Sequence, residues 1–373
     1  MVERHREPTF GSGPQPRAHA EIKERTTFYP LPPESFDALA ADDVELALHG
    51  LPPRPDRIRS AALHAFWQRM FAPPLSFIHP ELDIHGDLRH LLRAGGGRGG
   101  EAGPMAFVPT RWGSSRNWSG AVITARDSML FQTIAGRWTV PAPAPPVNAT
   151  AALPPPGGAW QCSVWLGFDG YHRWSVSLPQ MGTVSMVEVQ GGALVPSVYA
   201  FAQWWVRGKF FGEVRIPGMP LAPGDEIFCM LSAGDAGGVT FAMTNRTQNH
   251  GLILSWAPGE MAAEAGRPAP VRAPMEGRTA VWCVERPLTM PQGTAAPALF
   301  NLPRIEDVRF GEALAEMRDP AAPARPVVPR DLTAARLLRM VATLGEGDRQ
   351  RSTVLTTPAA PAAGGSALSV RQV

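Results

Sequence analysis

From about residue 105 to 311 the chain is built of short apolar or alternating runs separated by Gly, Pro, Asn and Asp, the pattern of many antiparallel strands. The clearest are Gly120–Thr124, Gln161–Phe168, Thr183–Val189, Val198–Val206, Glu226–Leu231, Val239–Thr244 and Thr279–Glu285. Turn signals stand between them at Gly191-Gly192, Pro217-Gly218, Pro223-Gly224-Asp225 and Gly237-Gly238. Such spacing predicts a sandwich or barrel. Ahead of it, Leu63, Phe66, Trp67, Met70 and Phe71 form one helical stripe, which predicts a helix over about 56–71 ended by Pro73-Pro74. A second helix is expected over Phe36–Leu48, closed by Gly50, and a third over Glu81–Arg93.

The expected organisation has five parts. Residues 1–30 form a disordered tail, 31–94 a helical segment, 95–104 a glycine-rich linker and 105–311 the β-sandwich. Residues 312–373 form a Pro/Ala-rich tail with one helix near Leu332–Leu344 on Leu337, Val341 and Leu344.

Composition supports this reading. Glycine and proline together make 77 of 373 residues, which disfavours a mostly helical fold. With 35 basic against 33 acidic side chains the net charge is +2, so no whole-chain field attracts nucleic acid or an acidic membrane. No apolar run is long enough for a spanning helix, and the charged start lacks the apolar stretch of a signal peptide. A monomer is expected, cytoplasmic by default, with export by another route left open.

Most catalytic signatures are missing: there is no GxSxG, HExxH, Walker loop or GxGxxG after a strand. Cys162, Cys229 and Cys283 lack metal or disulfide spacing and read as buried thiols, so no metal or other cofactor is expected. Only His172 and His250 lie in the strand-rich zone to serve as a nucleophile's base. Among the carboxylates Glu285 stands out, because it ends the apolar strand 279–285 and would be desolvated there. It is either a poised acid/base or a strand-end carboxylate paired with a neighbour such as Arg286. Ten of the 11 tryptophans fall within 112–282, as core or as groove lining.

Five segments, in order, resemble the glutamic peptidases, or eqolisins: Asn117–Val122, Trp165–Gly170, Leu178–Gly182, Tyr199–Trp205 and Ala280–Glu285. The resemblance implies an all-β fold, a bent antiparallel lectin- or glucanase-like sandwich with a groove on its concave face. By motif position it implies Gln180 and Glu285 as the catalytic pair, with Phe201, Gln203, Trp205 and Asp169 binding a polypeptide substrate. Strand alternation places Phe201, Gln203 and Trp205 on one face, and Val281 and Cys283 on the face of Glu285. The chemistry is self-consistent: one carboxyl can take a proton from water and return it to the departing amine, while an amide donates to the oxyanion.

The chain departs from the acid-loving fungal members. Gln203 stands where a groove-lining Glu is expected, Val281 replaces a Glu, Arg286 follows Glu285 where an Asp is common, and Tyr199 and Val184 occupy further acidic positions. A less acidic optimum is expected. The helical segment and its linker resemble a proregion, expected to cover the groove and to be cut near 95–104; an ordinary packed helical subdomain is the alternative. Two other functions remain open: a non-catalytic sugar- or peptide-binding sandwich, and a glycoside hydrolase with Glu188 as second acid.

Overall fold

The computed structural model describes residues 15–85, 88–89, 112–152, 155–207, 213–261, 272–289, 298–344, 351–359 and 365–373. Two antiparallel sheets pack face to face. The front sheet contains β1 (Trp118–Thr124), β2 (Ala159–Phe168), β3 (Ser177–Gln190), β4 (Ala193–Val206), β5 (Glu213–Ile216) and β6 (Thr279–Glu285). Their spatial order is β5, β4, β3, β2, β6, β1. The back sheet sets Leu130–Thr139 between Glu226–Ala233 and Val308–Arg318, with Val239–Asn245 and His250–Trp256 beyond. All seven expected strands are present, extended at one or both ends or matched.

Alternation explains the layers. Cys162, Val164, Leu166 and Phe168 of β2, Ala200, Ala202 and Trp204 of β4, and Ala280, Trp282 and Val284 of β6 point between the sheets. There they meet Ile227, Cys229, Leu231, Phe241, Met243, Leu252 and Leu254. The intervening residues of β2, β3, β4 and β6 form the opposite face of the front sheet.

Three helices precede the sandwich: α1 (Gln15–Arg25), α2 (Asp43–Leu48) and α3 (Ala61–Phe71). Asp42 and Glu45 make a capping box at the start of α2. At its end Gly50, φ 71°, donates to Ala47 O while Leu51 donates to Leu46 O, a Schellman closure. The α3 stripe is buried as expected, but against Phe228, Met230, Ala242 and Ile253 on the outer surface of the back sheet. Helices α2 and α3 therefore pack as a subdomain remote from the front face.

Several expectations need correction. The helix expected over 36–48 is confined to α2, because the residues before Asp42 form turns. The expected tail 1–30 is helical over α1, and Thr26–Thr27 pair with Ser255 and Trp256 in the back sheet; residues 1–14 lie outside the described residues. In place of the helix 81–93, Asp83–His85 extends the free edge of β5 and Leu88–Arg89 pairs with Leu288–Thr289. The remainder of that stretch and the linker 95–104 lie outside the described residues.

The C-terminal tail is part of the sandwich. Arg336–Leu344 lies between the front-sheet strand β1 and Arg351–Pro358, and Leu368–Gln372 pairs with Val308–Phe310. Leu337, Leu338, Met340 and Val341 are all buried, so this strand is covered on both faces. A strand covered on both faces has no period-2 signal, and its apolar run imitates a helical stripe.

Candidate active site

The register brings the family-like segments together as three rows across one face. Gln203, Gln180, Gly167, Val281 and Val122 form the first. Phe201, Gly182, Trp165, Cys283 and Gly120 form the second, and Tyr199, Val184, Ser163, Glu285 and Trp118 the third. Directly paired residues share a face. Gln180 and Glu285, 105 positions apart in sequence, thus project to the same side, separated by the width of β2 and by two rows. On a flat sheet that is about 10 Å across and about 14 Å along, with Trp165 of the middle row between the two.

Glycines make the close packing possible. A Cβ on Gly182 would stand 2.1 Å from Val164 O and 2.6 Å from Trp165 Cβ, and one on Gly167 would stand 2.8 Å from Gln180 Cβ. Gly120, at φ 150°, lies against Trp282 O, which a Cβ would approach to 2.0 Å. These contacts explain the glycine in three of the five segments.

Glu285 is fully buried. Trp165 Nε1 donates to its Oε2 at 2.8 Å, and Asn117 Nδ2 donates to its Oε1 at 3.4 Å. Ser115 Oγ donates to Asn117 Oδ1 at 2.9 Å, and the edge of Trp118 meets Trp165 with centroids 5.0 Å apart, so both donors are themselves held. Arg286 is turned elsewhere: its Nε donates to Phe300 O at 2.7 Å, and burial lowers its guanidinium to about 10. Asn117 and Trp165 were visible in the sequence only as segment residues; nothing local marked them as partners of Glu285.

Gln180 Nε2 donates to Gln203 Oε1 at 3.2 Å, which orients the amide and leaves its second N–H for another acceptor. Gln180 Oε1, Ser163 Oγ and Trp118 Nε1, all on this face, are buried without a hydrogen-bond partner among the described residues. Buried polar atoms of this kind are positions that a polar ligand or an ordered water can satisfy.

Phe201 is buried in the aromatic and aliphatic cluster of this face, with Trp205 and Tyr199 half-buried against it. Asp169 serves the scaffold: its carboxylate accepts from the backbone N–H groups of Glu276, Gly277, Arg278 and Thr279, at 2.8, 3.0, 2.7 and 3.4 Å, fixing the turn that begins β6. Burial pushes Asp169 up to about 6, against the pull of those amides. The three cysteines are free and buried, and burial raises Cys162 to about 12, which leaves these thiols protonated and inert.

Set beside known proteins, the sandwich falls among the peptidases. Residues 116–336 match the Peptidase A4 family, more than half of the chain, and the chain belongs to that family, the glutamic peptidases or eqolisins. It is a peptide-bond hydrolase. Similar solved structures include scytalido-glutamic peptidase with a transition-state analogue inhibitor, at 15% identity and a TM-score of 0.47 over 69% of this chain and 98% of that one. SCP-B, an eqolisin in complex with the tripeptide Ala-Ile-His, has 15% identity and a TM-score of 0.44 over 69% and 98%. Aspergilloglutamic peptidase from Aspergillus niger has 18% identity and a TM-score of 0.39 over 57% and 99%. None of the curated proteins matches the chain.

Proposed function

We propose that the chain cuts polypeptides internally through Glu285 and Gln180. Glu285 takes a proton from a water whose oxygen bonds to the scissile carbonyl carbon, and the carbonyl electron pair moves onto oxygen. The second N–H of Gln180 donates to that oxyanion. As the intermediate collapses the C–N bond breaks, Glu285 returns its proton to the departing nitrogen, and a carboxyl and an amine terminus result. Trp165 and Asn117 orient the carboxyl; Gln203 orients the amide. The observation that carries this reading is a buried carboxyl and a buried amide on one face, each held by its own N–H contact, among orphaned polar atoms.

The same face is closed to solvent, with Gln180, Gln203, Trp165, Phe201 and Glu285 all at 0% exposure. Asp83–His85 sits on the β5 edge and Leu88–Arg89 on the strand that follows Glu285. Consecutive Cα atoms are 3.8 Å apart, so these anchors, three steps apart at His85 and Leu88, are within about 11 Å of each other. We propose that the N-terminal segment restrains the site through these two strand pairings, rather than through α2 and α3, until the chain opens or is cut near 95–104.

The test is digestion of a denatured protein by the wild-type chain and by Gln180→Leu, with a glucan offered in parallel. Cleavage of protein alone, at least tenfold slower in the variant, supports the reading. Equal cleavage by both chains contradicts it, and turnover of the glucan alone favours the glycosidase. A protease site placed in 95–104 should raise activity after nicking; unchanged activity would remove the restraining role of the N-terminal segment.

A further inference from the structure

The loop joining β2 to β3 carries a feature that catalysis by Gln180 and Glu285 does not require. Trp174 is 65% exposed, against 42% for Phe28 and 37% for Trp112, the other exposed tryptophan and phenylalanine side chains among the described residues. A single exposed apolar side chain is ordinary on a protein surface; what sets Trp174 apart is that its loop is tied down beside the site with the indole stacked on a neighbouring ring.

The presentation is rigid. Asp169 and Gly170, with φ of 66° and 72°, turn the chain sharply out of β2, and the Asp169 carboxylate ties the turn to backbone 276–279. Ser175 N donates to His172 O at 3.1 Å. Arg207 clasps the loop from the end of β4, with Nη2 and Nε donating to Ser175 O at 2.7 and 3.2 Å and Nη2 also to Arg173 O. Ser177 Oγ donates to Pro274 O at 2.7 Å where β3 begins.

A run of three rings leads from the edge of the site cluster to the surface. Tyr171 packs against the cluster that contains Trp118, Trp165 and Phe201. His172 meets Tyr171 edge-on with centroids 5.2 Å apart, and Trp174 stacks on His172 at 4.2 Å and 6°. One face of the indole is thereby fixed while most of its surface stays open. The loop lies beyond the first row, on the Gln180 side of the face. An extended chain advances about 3.4 Å per residue, so a substrate reaches the loop about three or more residues from the bond held at Gln180.

We propose that Tyr171, His172 and Trp174 form a remote subsite that takes an aromatic side chain of the polypeptide substrate by stacking on the open indole. The proposal rests on the peptidase reading and extends it to specificity. The choice of an aromatic partner follows from the flat, pre-positioned π surface, which rewards another ring beyond simple area burial. Because the loop is already ordered, little conformational entropy is lost on binding.

The test is cleavage of a degenerate peptide library by the full chain, wild type, Trp174→Ala and Trp174→Phe, followed by kcat/KM on two matched peptides that differ only by Phe or Ala at the selected position. Wild type should favour the Phe peptide by about three- to tenfold, Trp174→Ala should cut both peptides at the wild-type Ala-peptide rate, and Trp174→Phe should keep most of the preference. A wild type with no aromatic preference, or a preference that survives in Trp174→Ala, overturns the subsite and leaves the peptidase reading standing. Failure of the wild type, intact and after nicking within 95–104, to cut any peptide overturns both.

Discussion

Replacing Trp165 by Phe isolates one contact at the site. The substitution removes the indole N–H that donates to Glu285 Oε2 at 2.8 Å and keeps an aromatic ring opposite Trp118, whose centroid lies 5.0 Å away. A hydrogen bond to a charged group contributes about 1.5–3 kcal/mol. If that interaction positions the carboxyl in the transition state, kcat should fall by about 10- to 150-fold. The smaller ring also leaves a void beside Gly182, so some loss of stability accompanies the change, of about 1–2 kcal/mol on the scale of partial core truncations. The two effects separate by assay: steady-state kinetics on one peptide gives kcat and KM, and denaturant unfolding gives the stability of the same preparation. The expected pattern is a large loss in kcat, little change in KM and a still cooperative unfolding transition. A Trp165→Phe chain with wild-type kcat would refute the reasoning that this N–H orients the reacting carboxyl.

Other outcomes follow from neighbouring contacts. Gln203→Leu removes the acceptor that orients Gln180 and should lower kcat by about three- to tenfold, whereas Gln203→Glu keeps an acceptor and should retain most activity; the order of the two rates checks this. Gly182→Ala drives a Cβ to 2.1 Å from Val164 O and should destabilise by about 3 kcal/mol, read by urea unfolding; near wild-type stability would mean the strands part easily. Asp169, raised by burial to about 6 against a reference of 3.8, binds its proton more tightly when folded, so its favourable contribution is complete below about 4 and is lost as pH rises through 6. Relative to Asp169→Asn, the wild type should therefore lose about 2 kcal/mol between pH 4 and 6 in denaturant titrations, and parallel curves would contradict the assignment.

Much of the front sheet was legible in the sequence because each strand buries one face between the sheets and turns the other toward the site. The alternation of Phe201, Gln203 and Trp205 with Ala200, Ala202 and Trp204 records that division directly. The same parity placed Val281 and Cys283 beside Glu285. Where both faces are covered the record is lost: Leu337, Leu338, Met340 and Val341 imitate a helical stripe yet form an interior strand. Side-chain partnership was the least legible property. The family resemblance marks Asp169 as a binding residue, but its acceptors are engaged by amides 107 to 110 positions away, a contact that no local pattern encodes. Trp165 and Asn117 reach Glu285 across 120 and 168 positions, and only the strand register reveals it.

The central claim is that one carboxyl exchanges the proton that drives hydrolysis, and the most direct measurement is kcat of Glu285→Gln on a single peptide, with folding checked by circular dichroism. The substitution keeps size and hydrogen-bonding oxygen while removing the proton exchange. The account predicts a folded chain whose kcat is lower by at least 100-fold, on the scale of general acid–base catalysis. A folded Glu285→Gln chain that cuts the peptide within a fewfold of the wild-type rate would contradict it.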